Sequence, residues 1–129
     1  MSKFLILFNH RLTDEQELDA IDLLGVKEFS FPPVEIGTLW KSLPPDAEKI
    51  GQVLRPVFQW IDMEGGTGDY LLVQGDFGAT YLVVEYARAR DLKPVYATTR
   101  RISREIEHED GSIEIVHRFR HVRFREYGK

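Results

Sequence analysis

An α/β fold built on parallel strands is what the sequence predicts, on three observations. Short apolar runs without polar alternation, Phe4-Leu5-Ile6-Leu7-Phe8 and Tyr70-Leu71-Leu72-Val73, suit strands buried on both faces. Stretches with helical apolar spacing separate them. Beyond Lys93–Ala97 the period changes to two β-type runs around Asp110-Gly111, which predicts a closing hairpin.

Taken in order, Lys3–Phe8 is the first strand. Thr13 offers an N-cap oxygen and Gln16 sits at the capping-box return position, with Leu18, Ile21 and Leu24 at helical spacing before Gly25. Val26–Phe31 reads as a second strand stopped by Pro32-Pro33, followed by a loop containing Trp40. From about Pro45 the residues Ile50, Val53, Leu54, Val57 and Ile61 share a helical face that ends at Gly65-Gly66, and Pro56 is expected to kink it. Tyr70–Gln74 is a third strand running into Gly75-Asp76-Phe77-Gly78, and Ala79, Leu82, Val83, Tyr86 and Ala87 mark the next helix.

Lys93–Ala97 is a fourth strand that should end in a polar loop, Thr98-Thr99-Arg100-Arg101. Ile102–His108 and Ile113–Phe124 then flank a two-residue type I′ turn, which sets Ile106 opposite Ile115 and Ile102 opposite Phe119. Right-handed crossovers turn this series into a Rossmann-like open parallel sheet of about four strands in order 2-1-3-4, with helices on both faces plus a C-terminal antiparallel β-hairpin. One domain over residues 1–129 is expected, the α/β core over 1–101 and the hairpin over 102–125.

Composition narrows the function. With 43% hydrophobic residues in 129 there is material for a core, and the absence of cysteine excludes disulfides, zinc-thiolate clusters and thiol nucleophiles. A reducing cytoplasm fits that count. The apolar run Phe4–Phe8 is too short for a secretion signal or a bilayer span, so no membrane partner is expected. Residues 1–87 carry 6 basic and 14 acidic side chains, whereas 88–129 carry 11 basic and 7 acidic, an asymmetry that favours an anionic partner or simply neutralises the acidic remainder.

In an open α/β sheet, ligands bind beyond the carboxyl ends of the strands. Three polar stretches are predicted to meet there: Asn9-His10, Gln74 to Thr80 through Gly75, Asp76, Phe77, Gly78 and Ala79, and Thr98-Thr99-Arg100-Arg101. The second opens a helix, whose unpaired amides favour an anion, while its glycines let backbone approach a phosphate. Asp76 suits an N-cap, or a hydrogen bond to a ribose hydroxyl or exocyclic amine. Arg100 and Arg101 suit a bidentate phosphate clamp, and His10 suits acid-base work near neutrality. His117 and His121 would lie about 13 Å apart along an extended strand, too far to share an ion, so no metal or other cofactor is expected. The run His117 to Arg125 interleaves cations with aromatics, which suits nucleic-acid stacking or a cationic edge that blocks strand aggregation.

Phe4 to Gln16, Leu72 to Thr80 and Val95 to Arg101 together resemble the small CRISPR-associated ring nucleases, stand-alone relatives of the CARF domain. The resemblance spans residues 3 to about 101. It implies a cytoplasmic homodimer that binds cyclic oligoadenylate, cyclic tetra-adenylate first, and not duplex DNA. It also implies metal-independent cleavage by the ribose 2′-hydroxyl, which switches off type III CRISPR antiviral signalling. In that reading His10, Thr98, Arg100 and Arg101 are the catalytic candidates, and Asn9, Gln74 to Thr80 and Thr99 contact the ligand. The alternatives are a protein that binds the ring without cutting it, as sponge or sensor, and a protein-interaction module using the basic hairpin.

Overall fold

The computed structural model describes residues 2–129. Its elements are β1 (Lys3–Leu7), α1 (Asp14–Leu23), β2 (Glu28–Ser30), α2 (Val34–Lys41), α3 (Arg55–Glu64), β3 (Tyr70–Val73), α4 (Phe77–Ala89), β4 (Lys93–Glu107) and β5 (Ile113–Glu126). They form an α/β structure around one mixed sheet of five strands in the order β2-β1-β3-β4-β5. β1, β2, β3 and β4 pair in parallel, and β5 returns antiparallel to β4. The fifth strand comes from the hairpin, whose first arm continues β4 and whose second, β5, extends the sheet edge.

Phe4, Leu5, Ile6 and Leu7 are all nearly sealed from solvent, as unbroken apolar runs between two layers require. Leu5, Leu7, Leu71 and Val73 pack one face against α2, α3 and α4. Phe4, Ile6, Leu72, Val95 and Phe124 pack the other against Ala20 of α1.

Several local expectations need correction. The capping box of Thr13 and Gln16 forms, but α1 buries Gln16 and Ala20, leaving Leu18 60% and Ile21 48% exposed. The buried stripe of α1 is Gln16 and Ala20 at i, i+4, continued by partly buried Leu24, and Leu18 and Ile21 fall outside it. The segment expected to be a loop around Trp40 is helix α2, entered through Pro33 and anchored by Ile36 and Trp40 at i, i+4 spacing. Pro56 does not kink a long helix; it sits in the first turn of α3, where its missing N–H has no intrahelical partner to lose.

The largest correction concerns the C-terminal third. β4 does not end at Ala97 but runs unbroken to Glu107, paired with β5 all the way apart from one irregularity between Thr98 and Thr99. Nothing in Thr98-Thr99-Arg100-Arg101 forbids extended backbone, and β5 supplies ladder partners for all four residues. The turn holds three residues, Glu109 to Gly111, not two: His108 N–H donates to the Ser112 carbonyl at 2.9 Å, and Gly111 alone takes positive φ, +86°. The extra residue slips the register by one, so Ile106 opposes Glu114, Ile102 opposes Arg118, and Arg101 opposes Phe119.

Candidate ligand-binding site

The chain crosses to opposite sides of β1 when it builds β2 and β3, so the sheet's carboxyl edge has its switch point between β1 and β3. Gln74 stands there. Its N–H donates to the Leu7 carbonyl at 3.1 Å, its side-chain oxygen accepts from the Ala97 amide at 2.7 Å, and its carbonyl accepts from Trp40 Nε1 at 2.9 Å. One residue thus ties the ends of β1, β3 and β4 together. The Gln74 oxygen is occupied, which leaves its side-chain NH2 as the group free to meet a ligand.

Beside it opens a cleft of about 470 Å³ lined by Gln74, Gly75, Phe77, Thr80, Tyr96, Tyr127 and Gly128. Phe77 is 95% exposed at the start of α4, an aromatic face with no packing role. Tyr127 donates its hydroxyl to the Val73 carbonyl at 2.6 Å, and its ring lies 4.8 Å from that of Tyr96. Burial, with the nearby Tyr96 adding to it, pushes the Tyr127 hydroxyl above its ordinary value, so it stays a donor. The Thr80 hydroxyl and the Asn9 side-chain oxygen are buried without hydrogen-bond partners among the described residues. Such orphans are rare, and of these two residues Thr80 lines the cleft whereas Asn9 does not.

Asp76 is the N-cap of α4, its Oδ2 accepting from Ala79 N–H at 3.0 Å. That occupies the Ala79 amide and puts a carboxylate where an anion was expected, leaving the Phe77 and Gly78 amides as the open donors of the first turn. Gly75 also has a different reason from the one expected. A Cβ there would stand 2.7 Å from Trp40 Nε1, so close indole packing requires the glycine, whereas at Gly78 the nearest atom lies 3.6 Å away.

The third polar stretch is not a strand-end loop. Thr98 donates its hydroxyl to the Arg123 carbonyl at 3.0 Å and Thr99 pairs with His121, both inside the ladder. Arg100 and Arg101 are adjacent in a strand, so their side chains leave opposite faces and cannot close on one phosphate together. His10 is separated too: it lines a second cleft, of about 380 Å³, with Phe8, Arg11, Glu17 and Phe31, and its ring meets the edge of Phe8 at 5.3 Å.

The structure adds residues the sequence did not single out. Tyr96 and Tyr127 form the cleft wall, and two cations stand behind them: Arg125 donates to the Tyr96 hydroxyl, and Arg88 donates to the Tyr127 carbonyl. The antiparallel return of β5 brings these groups together, and although Asp110-Gly111 signals the hairpin, no local motif gives how far β5 runs back along β4. Among the described residues, no group of three or more His, Asp or Glu is placed to hold a metal ion, and no helix is long and apolar enough to cross a membrane.

Comparison with known proteins gives a consistent placement. No solved structure matches the chain. A protein of Methanocaldococcus jannaschii described as "Uncharacterized protein MJ1673" is 43% identical over 127 residues, covering 98% of both chains. Residues 2–125 match the Uncharacterized protein MJ1673 family, and the chain belongs to that family.

Proposed function

We propose that the protein is a CARF-like, Rossmann-related binder of cyclic oligoadenylate, cyclic tetra-adenylate first, and that it opens the ring without a metal to end type III CRISPR signalling in the cytoplasm. The observation that carries the reading is the cleft at the carboxyl edge of the sheet, where solvent-exposed Phe77 and the Tyr96–Tyr127 pair surround the unpartnered Thr80 hydroxyl. Aromatic faces beside unsatisfied polar atoms suit unstacked bases of single-stranded RNA.

In this reading Phe77, Tyr96 and Tyr127 stack adenine, and Thr80 with the Gln74 amide bonds base or ribose. The Phe77 and Gly78 amides face phosphate, and Arg88 and Arg125 stand behind the tyrosine wall of the cleft. A ring with two-fold symmetry matches a homodimer that presents this cleft twice. For cleavage, a ribose 2′-oxygen attacks the neighbouring phosphorus while its proton passes to a base. The bond to the 5′-oxygen breaks, that oxygen takes up a proton, and a 2′,3′-cyclic phosphate and a 5′-hydroxyl result. In-line positioning and amide donors lower that barrier without a metal.

Binding without cleavage is favoured by one specific observation: His10 opens into the other cleft, so the aromatic cleft itself holds no histidine or carboxylate among its lining residues. Incubating excess protein with the labelled ring in EDTA separates the two. A linear product supports the nuclease, a stable uncut complex supports the sponge, and no association removes the ring as ligand.

A further inference from the structure

Past Thr99, β4 and β5 leave the body as a two-stranded arm extending about ten residues, roughly 33 Å at the usual rise per residue. A lone hairpin of this kind is marginal in water. Yet the arm carries Phe119 69%, Ile113 62% and Ile115 59% exposed, all on one strand and one face. Its charges are segregated. The tip, residues 105–114, holds five carboxylates and neither lysine nor arginine, while the stem, residues 100–104 and 115–125, holds seven arginines and no carboxylate.

We propose that this face of the arm is the interface with a second copy of the chain, two arms lying antiparallel so that each acidic tip rests on the partner's basic stem. The pairing is self-complementary, as a two-fold interface must be. On this face the β5 row presents Phe119, His117, Ile115 and Ile113 and the β4 row runs from Arg101 through Ser103 to Glu105 and Glu107, while Arg100, Arg104, Arg118 and Arg120 belong to the opposite face. An antiparallel crossing stacks the apolar rows and brings each Arg101 to the other copy's Glu105 and Glu107. A parallel crossing sets arginine on arginine. Nucleic acid fits the stem but is repelled by the five carboxylates of the tip, which is why a second copy is the better occupant.

The inference concerns how two copies associate and does not depend on the ring-binding reading, so its test needs no ring. Sedimentation equilibrium of the full chain should show a dimer that weakens with salt. Arg101→Glu alone, and Glu105→Arg with Glu107→Arg, should each weaken association by on the order of tenfold or more, and the triple variant should recover it. Ile115→Asp should also give monomers, with unchanged far-UV circular dichroism showing that the body stays folded. A monomeric parent protein overturns the proposal. So does a dimer that Arg101→Glu and Ile115→Asp leave intact, or a triple variant no tighter than its components.

Discussion

The side-chain oxygen of Gln74 accepts the amide of Ala97 at 2.7 Å, so a side chain from the end of β3 supplies the ladder partner β4 lacks just beyond its pairing with β3. Gln74→Leu fills similar space but leaves that amide unpaired in a half-buried position. A loss of about 1–3 kcal/mol is expected in urea denaturation, with Gln74→Glu retaining more of the stability because its carboxylate still accepts. A neutral result for Gln74→Leu would mean that water replaces the contact at no cost.

Gly75 and Gly78 flank Asp76 but answer to different constraints. Gly75→Ala drives a methyl into the Trp40 indole, and overpacking of that kind should cost about 1–3 kcal/mol. Gly78→Ala meets only ordinary contacts and should leave the denaturation midpoint near that of the parent protein. If ring phosphates approach the first turn of α4 closely, Gly78→Ala will nonetheless weaken ring affinity measured by calorimetry. Equal affinity in that variant would remove this turn from the phosphate contacts.

Phe77 spends almost none of its surface on the fold, so Phe77→Ala should leave thermal stability within experimental scatter. Loss of a stacked base typically costs about 1–3 kcal/mol, which predicts roughly a 5- to 150-fold rise in Kd for the ring. The same substitution gives no change if the exposed ring serves a protein contact instead.

How far the sequence discloses this site can be judged from particular residues. Thr13 with Gln16 and the sealed run of β1 are local signals, because capping and two-sided burial depend on few neighbours, and both appear in the fold. Arg100 and Arg101 mislead, since no residue between Ala97 and Ile102 breaks a strand and only the length of the β5 partner decides where β4 stops. The single-residue slip in the hairpin has the same character: Asp110-Gly111 marks a turn, but Gly111 serves equally in a two- or three-residue loop. Tyr127 is invisible for a further reason. It reaches Val73 across 54 positions of sequence, because the hairpin pairing runs back past Phe124 to Val95 opposite Glu126, an extent no local pattern encodes.

Tyr127 also gives the cleft a pH dependence. Burial raises its folded-state value above the ordinary 10.0, so its contribution to stability is fully present below about pH 10 and is lost as pH rises through the folded value. Once ionised it can no longer donate to Val73, and the end of β5 should loosen. Denaturation of the parent protein and Tyr127→Phe should draw together as pH rises above 10, the parent progressively losing its advantage. Parallel curves over that range would show that the hydroxyl contributes nothing.

His121 Nε2 lies 2.6 Å from Asp19 Oδ2, with the two side chains only 5% and 12% exposed, while Arg120 meets Glu15 at 3.3 Å in the open. Both pairs pin the stem of the arm to α1, but their surroundings differ. Asp19→Ala strands His121, whose other ring nitrogen already lacks a partner, against the ring of Phe124 at 4.7 Å. Leaving a buried donor or acceptor without its hydrogen bond typically costs about 1–3 kcal/mol, whereas an exposed pair is worth about 1 kcal/mol or less. Asp19→Ala should therefore unfold at clearly lower urea and speed amide exchange around residues 120–123, and Glu15→Ala should do neither. Matching losses in the two variants would mean that solvent reaches the His121 pair, and that the arm is held to the body by its backbone ladder alone.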